Sequence, residues 1–232
     1  MSSDQRALAP SQRLRVAYLL TIVGGYLDAY TYFERGGVFA NAQTGNIVKL
    51  GIAFANGAHD TYLFFLIPIA SFALGLFASL GLEELFALRR HRLVRRSVLL
   101  VEMCGLALVG FIPEGEGWDM LANCIVAFVA AMQYETFTTF RGDPMATTMS
   151  TGNLRKFVDC LYAGTMHQDI PQLMRAARFL SIIVVFTLGA VIGTFACKVW
   201  DAGAIFPAVG LLACAVATIT LLRSMNARDL GE

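Results

Sequence analysis

Six apolar runs dominate this 232-residue chain: Val16–Phe33, Tyr62–Leu88, Ser97–Pro113, Met120–Phe140, Phe179–Trp200 and Ile205–Leu222. A helix needs about 20 residues to cross the hydrocarbon core of a bilayer. Runs of this length joined by short connections leave little room for a soluble architecture. Composition agrees: 56% of residues are hydrophobic, 15% are charged and the mean hydropathy is +0.60, against about 45–50% and about 25% in soluble domains. A cytosolic enzyme is thereby disfavoured, and a net charge of +1 offers no basic surface to nucleic acid. The expectation is an all-α, polytopic helical membrane protein whose first partner is the lipid bilayer.

Two further segments are apolar but studded with polar groups. Val38–Asn56 carries Asn41, Gln43, Thr44, Asn46 and Lys49, and Met145–Gly164 carries Thr147, Thr148, Ser150, Thr151, Asn153, Arg155 and Lys156. Basic residues near span ends set orientation, cytoplasmic loops holding the excess. If neither polar segment crosses and the N-terminus is cytoplasmic, 15 of the 18 Lys and Arg fall inside, among them the whole Arg89–Arg96 cluster. Only Arg35, Lys49 and Lys198 fall elsewhere, and the acidic Glu114–Asp119 loop lands outside. If both segments crossed, that bias would vanish. The reading is therefore six full transmembrane helices plus two polar re-entrant or broken helices, with both termini cytoplasmic. Within the polar stretch 1–15 no A-x-A-like cleavage site follows an apolar run, so the run from Val16 reads as a retained first span.

Sliding the chain by 107 residues aligns Asp28–Lys49 with Glu135–Lys156 without a gap. Thr31/Thr138, Phe33/Phe140, Thr44/Thr151, Gly45/Gly152, Asn46/Asn153 and Lys49/Lys156 are identical, and Asp28/Glu135 is conservative. Further on the offset becomes 114, where Phe72-Ala-Leu-Gly75 meets Phe186-Thr-Leu-Gly189. Shared polar residues are not produced by background apolarity, and internal repeats of this kind decide a fold. The chain divides into a tail at 1–15, repeat A at 16–113, repeat B at 114–223 and a second tail at 224–232, all in one membrane domain. Three full crossings per repeat is an odd number, so the two copies are expected in inverted topology, as in many secondary transporters and some channels.

Ionisable groups inside a membrane are costly and mark function by default. Asp28 and Glu135 occupy matching places and are the candidate proton-binding pair, with a helix-clamping role as the plain alternative. Lys49 and Lys156 follow the Asn residues by three positions, on one helical face, and are the candidate counter-charges. Lys156 can equally snorkel to the surface beside Arg155. Thr44-Gly45-Asn46 and Thr151-Gly152-Asn153 are the sharpest signal. If these tripeptides begin half-helices, free N–H groups and the helix dipole favour an anion or polar solute there. Gln133 and Tyr26 are placed to line the pocket of the acids. Glu102, near Arg95 and Arg96 in sequence, reads as an interfacial ion-pair partner. Ser71-x-x-x-Gly75-x-x-x-Ser79 and Gly189-x-x-x-Gly193 read as small-residue helix packing.

Cys104, Cys124, Cys160, Cys197 and Cys214 all lie in apolar stretches without C-x-x-C spacing, so neither a disulfide framework, a metal site nor a cofactor is expected. No nucleophile–base arrangement is present, and the chain does not read as an enzyme.

The stretch Gly24-Gly-Tyr-Leu-Asp28-Ala-Tyr-Thr followed by Gly37-Val-Phe-Ala-Asn-Ala-Gln-Thr44-Gly-Asn46 resembles the signature of the YoaK-like bacterial inner-membrane proteins, and the second Thr-Gly-Asn region fits it too. The resemblance covers essentially the whole chain. It implies a bacterial inner-membrane protein of unassigned function and carries over no catalytic or substrate residue. From the repeat and the intramembrane charges, the expected function is a small-solute membrane transporter, secondary and proton-coupled, with a central site between the two Thr-Gly-Asn helices. A channel with the same inverted-repeat pore, and a non-transporting scaffold or sensor, are the alternatives. Gly-rich faces could serve contacts within one chain or between protomers of a homo-oligomer.

Overall fold

The computed structural model describes residues 14–86 and 91–229. Within them lie eight α-helices: α1 (Leu14–Glu34), α2 (Gln43–Ala55), α3 (His59–Phe86), α4 (His91–Val109), α5 (Glu116–Thr136), α6 (Thr151–Met166), α7 (Ile170–Trp200) and α8 (Ile205–Asp229). A two-residue hairpin, β1 (Thr139–Phe140) with β2 (Asp143–Pro144), joins α5 to α6. A single 3₁₀ turn at Asp201–Ala204 joins α7 to α8.

Helix α1 carries apolar residues on every side and is buried in the bundle along most of its length. Val16, Leu20, Val23, Tyr26, Leu27 and Tyr30 are all buried. It packs chiefly on α7, with α8 as its second neighbour, while α3 packs chiefly on α5, with α4 beside it. Glycine makes the first of these contacts close. A Cβ on Gly25 would lie 2.0 Å from the Phe186 carbonyl oxygen, and one on Gly189 would lie 2.3 Å from that of Ile22. Across α3 and α5, a Cβ on Gly75 would meet the Phe128 carbonyl oxygen at 2.3 Å. Ser71 and Ser79 reinforce that seam, Ser71 Oγ donating to the Cys124 carbonyl at 2.7 Å and Ser79 Oγ bonding Thr136 Oγ1 at 3.0 Å.

The outer surface is apolar. Thr61–Leu85 and Ile170–Leu222 are long and apolar enough to cross a membrane, the second spanning α7 and α8 together. Less than a third of either window is buried in the protein, so both turn most of their hydrophobic surface outward, unlike the core helix of a soluble domain. At 13 and 16 residues, α2 and α6 are too short for a full crossing.

One buried cation ties three elements together. Arg35, 0% exposed, follows α1 and donates from Nη1 to the Pro113 carbonyl at 2.9 Å and to Asp119 Oδ1 at 3.0 Å. Nη2 donates to the Ile112 carbonyl at 3.0 Å, and Nε to Tyr30 Oη at 3.1 Å. The guanidinium thus caps carbonyls left open where α4 ends, and Asn123 Nδ2 in turn donates to the Arg35 carbonyl at 2.7 Å. At the β1–β2 hairpin, Asp143 is gripped by Arg175 at 2.7 Å and Arg178 at 2.8 Å from α7.

Candidate functional site

Both Thr-Gly-Asn tripeptides stand at helix starts. Thr44 is the second residue of α2 and Thr151 the first of α6. Neither helix is capped by a side chain: Ala42 has none to offer, and Ser150 makes no capping bond. The asparagines do a different job. Asn46 Oδ1 accepts from the Phe39 N–H at 3.0 Å while its Nδ2 donates to the Phe39 carbonyl at 2.7 Å. Asn153 repeats the pattern on Ala146, at 3.3 and 2.6 Å. Each asparagine therefore closes a bidentate clamp on the backbone seven residues earlier and holds the loop that leads into its own helix. Both are buried, so these amides organise the site from behind. Substituting either Asn46 or Asn153 by alanine strands one part-buried N–H and one part-buried carbonyl. The expected cost is about 1–3 kcal/mol at each position, read from chemical unfolding of the purified protein in micelles, and it should be similar for the two.

The loop before α2 is irregular yet buried, which is tolerated only where protein satisfies its backbone. Helix α1 does so. Asp28 Oδ1 accepts from the Asn41 N–H at 2.8 Å, Thr31 Oγ1 accepts from the Ala40 N–H at 3.2 Å, and Asn41 Nδ2 donates to the Gly24 carbonyl at 2.8 Å.

Between these pieces lies a cavity of about 730 Å³. Asp28 and Tyr32 of α1, Thr44 of α2, Thr151 and Gly152 of α6 and Phe186 of α7 all line it. The two helix N-termini and one acid are therefore brought to a single space. Thr148 also lines it, 1% exposed, with a hydroxyl that has no hydrogen-bond partner among the described residues.

The remaining expected site residues lie elsewhere. Glu135 is half-buried near the end of α5 and does not line this cavity. Lys49 pairs with neither acid. Its ammonium donates to the Gly37 carbonyl and sits 5.0, 4.9 and 5.7 Å from the ring centres of Tyr32, Phe39 and Phe65. Lys156 lines a separate groove of about 280 Å³ with Tyr134, Thr138, Pro144 and Asn153, and makes no ion pair among the described residues. Gly45 packs against the Phe39 ring. Tyr26 is buried and does not line the cavity, its hydroxyl donating to the Ala204 carbonyl.

Gln133 serves an acid that sequence reading placed at an interface. Glu102 is 1% exposed in the body of the bundle. Oriented with its nitrogen toward that carboxyl, the Gln133 amide donates to Oε1 at 3.0 Å and to Oε2 at 2.9 Å. Its other end meets Thr147 Oγ1 at 3.3 Å, next to cavity-lining Thr148. The interfacial assignment of Glu102 is therefore corrected. Only the spacing from Arg96 could have signalled it, since six residues of helix carry the carboxyl about 9 Å beyond the basic cluster.

Fold and site together define an all-helical bundle with membrane-compatible outer helices, organised round a cavity where two short helices begin. The chain belongs to the family described as Protein of unknown function (DUF1275), which it matches over residues 16–218. No match is found among curated proteins or among solved structures.

Proposed function

We propose that the protein is a multi-pass membrane transporter for a small solute, a secondary carrier coupled to protons. Its central site is the cavity between the N-termini of α2 and α6. The observation that carries this reading is the convergence of both uncapped N-termini and Asp28 on that one space. Short interrupted helices whose ends meet at mid-depth, with an acid beside them, are the parts from which secondary transporters assemble a binding site. Asp28 is the proton carrier in this account, and Glu135 lies outside the solute route.

Six crossings in two inverted copies fit the packing. The copies are α1–α4 and α5–α8, and the three main partnerships have counterparts: α1 with α7 matches α5 with α3, α2 with α3 matches α6 with α7, and α4 with α5 matches α8 with α1. The Asn46 and Asn153 clamps match at the 107-residue offset. The corner where Gly36 abuts the Phe64 ring corresponds to the one where Asp143 binds Arg178. The Arg and Lys bias along the chain places both termini on the cytoplasmic side of a bacterial inner membrane in this reading.

The test is flux. Proteoliposomes containing a trapped pH indicator are offered a panel of small carboxylates, amines, amino acids and sugars. At least one solute should move protons with slow, saturable kinetics, and Asp28→Asn should abolish the proton movement. Proton flux unchanged in Asp28→Asn, or no solute-dependent flux across the panel, would contradict the reading.

A further inference from the structure

We propose that the central cavity binds a monovalent organic anion with an apolar body, and that it does so together with one proton on Asp28. The inference rests on the reading of this cavity as the solute site and names the solute class.

Charge balance leads to it. Each helix N-terminus is equivalent to about half a positive charge, and the two that open on this cavity sum to roughly one. Asp28 ionised supplies one negative charge in the same space, so the empty cavity is close to balanced. A proton on Asp28 removes that charge and leaves both N-termini facing the cavity uncompensated, which is a vacancy for one anionic head. An anion entering against ionised Asp28 would instead place two negative charges together in a region of low dielectric, which is costly. Proton and anion therefore load as a neutral pair.

A second observation points to a ligand independently of the dipoles. Thr148 lines the cavity and is 1% exposed, and its hydroxyl has no partner among the described residues. A buried hydroxyl without a partner is unfavourable, and an anionic oxygen would accept from it. The apolar body is matched by Phe33, Phe39, Ile47 and Phe186 on the cavity wall.

The charged and titratable groups around Asp28 favour the same sign. On α1 the neighbour is Tyr32, which lines the cavity. On α2 it is Lys49, whose ammonium lies against the Tyr32 and Phe39 rings and pairs with no carboxylate among the described residues. On α6, Lys156 lines the neighbouring groove and Arg155 is an exposed partner of Asp159. Helix α7 contributes Phe186, Ala190 and Thr194, none of which titrates. A cationic solute would meet two helix N-termini, with the Lys49 ammonium behind the Tyr32 and Phe39 rings of the wall, opposed only by Asp28.

Three probes of one shape decide the matter with the full chain in detergent micelles: benzenesulfonate, an anion at every working pH, neutral benzenesulfonamide and benzylammonium. Calorimetry at about pH 6 and about pH 9, in buffers of different ionisation enthalpy, reads affinity and proton uptake. Benzenesulfonate should bind at least about tenfold tighter at the lower pH, with roughly one proton taken up per anion bound. Asp28→Asn should bind it equally at both. Thr148→Val, which removes a donor but not the proton site, should weaken binding at both pH values while keeping their ratio. Preference for benzylammonium, pH-independent benzenesulfonate binding by the unaltered protein, or a pH ratio that survives in Asp28→Asn would overturn the proposal. Proton-linked anion binding without flux would sink the carrier reading and leave this inference standing. Proton-driven uptake of a cation would do the reverse.

Discussion

Arg35→Ala is expected to destabilise the protein by about 3–5 kcal/mol, the range for breaking a buried pair by removing one partner. The guanidinium is wholly buried, and its loss leaves the Asp119 carboxylate and the carbonyls of Ile112 and Pro113 without their donor. Three elements meet there: the end of α1, the end of α4 and the first turn of α5. Arg35→Lys keeps the charge but not the planar fork, and should recover only part of the loss. Removing the stranded acid as well, in Arg35→Ala with Asp119→Ala, should be less damaging than the sum of the two single changes. Chemical unfolding of the purified protein in micelles measures all three. An Arg35→Ala midpoint within about 0.5 kcal/mol of the parent, the range of an ordinary surface change, would show that the guanidinium network does not hold this corner.

Gly25→Ala should be nearly as severe and should also act on the cavity. The added Cβ would lie 2.0 Å from the Phe186 carbonyl oxygen and 3.0 Å from the Ala190 nitrogen. Those are backbone atoms of α7 and cannot swing aside, so the helices must separate. Overpacking of this kind costs typically about 1–3 kcal/mol, occasionally more. Phe186 and Ala190 also line the cavity opposite Asp28, so the same displacement reshapes the solute site, and ligand binding should fall along with stability. Gly51→Ala is the control. Nothing lies within 4 Å of its Cβ position, and alanine is the better helix former by up to about 1 kcal/mol, so stability should hold or rise slightly. Equal behaviour of the two variants would contradict the close α1–α7 contact.

What could be read from residues alone was mostly what is local or periodic. Apolar runs gave the long helices, and Gly after Thr marked the starts of α2 and α6, because small polar residues at those points suit a helix end. Thr, Gly, Asn and Lys recur at a spacing of 107 residues, and the matching Asn46 and Asn153 clamps give the shared asparagine its physical reason. What escaped depends on chain segments far apart in sequence. Arg35 binds carbonyls 77 and 78 residues away, which no local pattern announces. Lys49 looked like a counter-charge, but Asp28 bonds the loop before α2 while Lys49 sits a turn into that helix, carried about 4.5 Å further along it than Asn46. Glu102 looked interfacial because sequence neighbours were weighed more heavily than helical rise.

The most direct measurement is accessibility of the two helix starts. With the five native cysteines replaced, Thr44→Cys and Thr151→Cys are each exposed to a membrane-impermeant thiol reagent in right-side-out and inside-out vesicles. If both N-termini face one solute cavity that opens alternately, each cysteine reacts from both sides of the membrane, and benzenesulfonate protects both. Reaction of each from one side alone, or of neither except with a lipid-soluble maleimide, would mean that the two helices do not share a transport route.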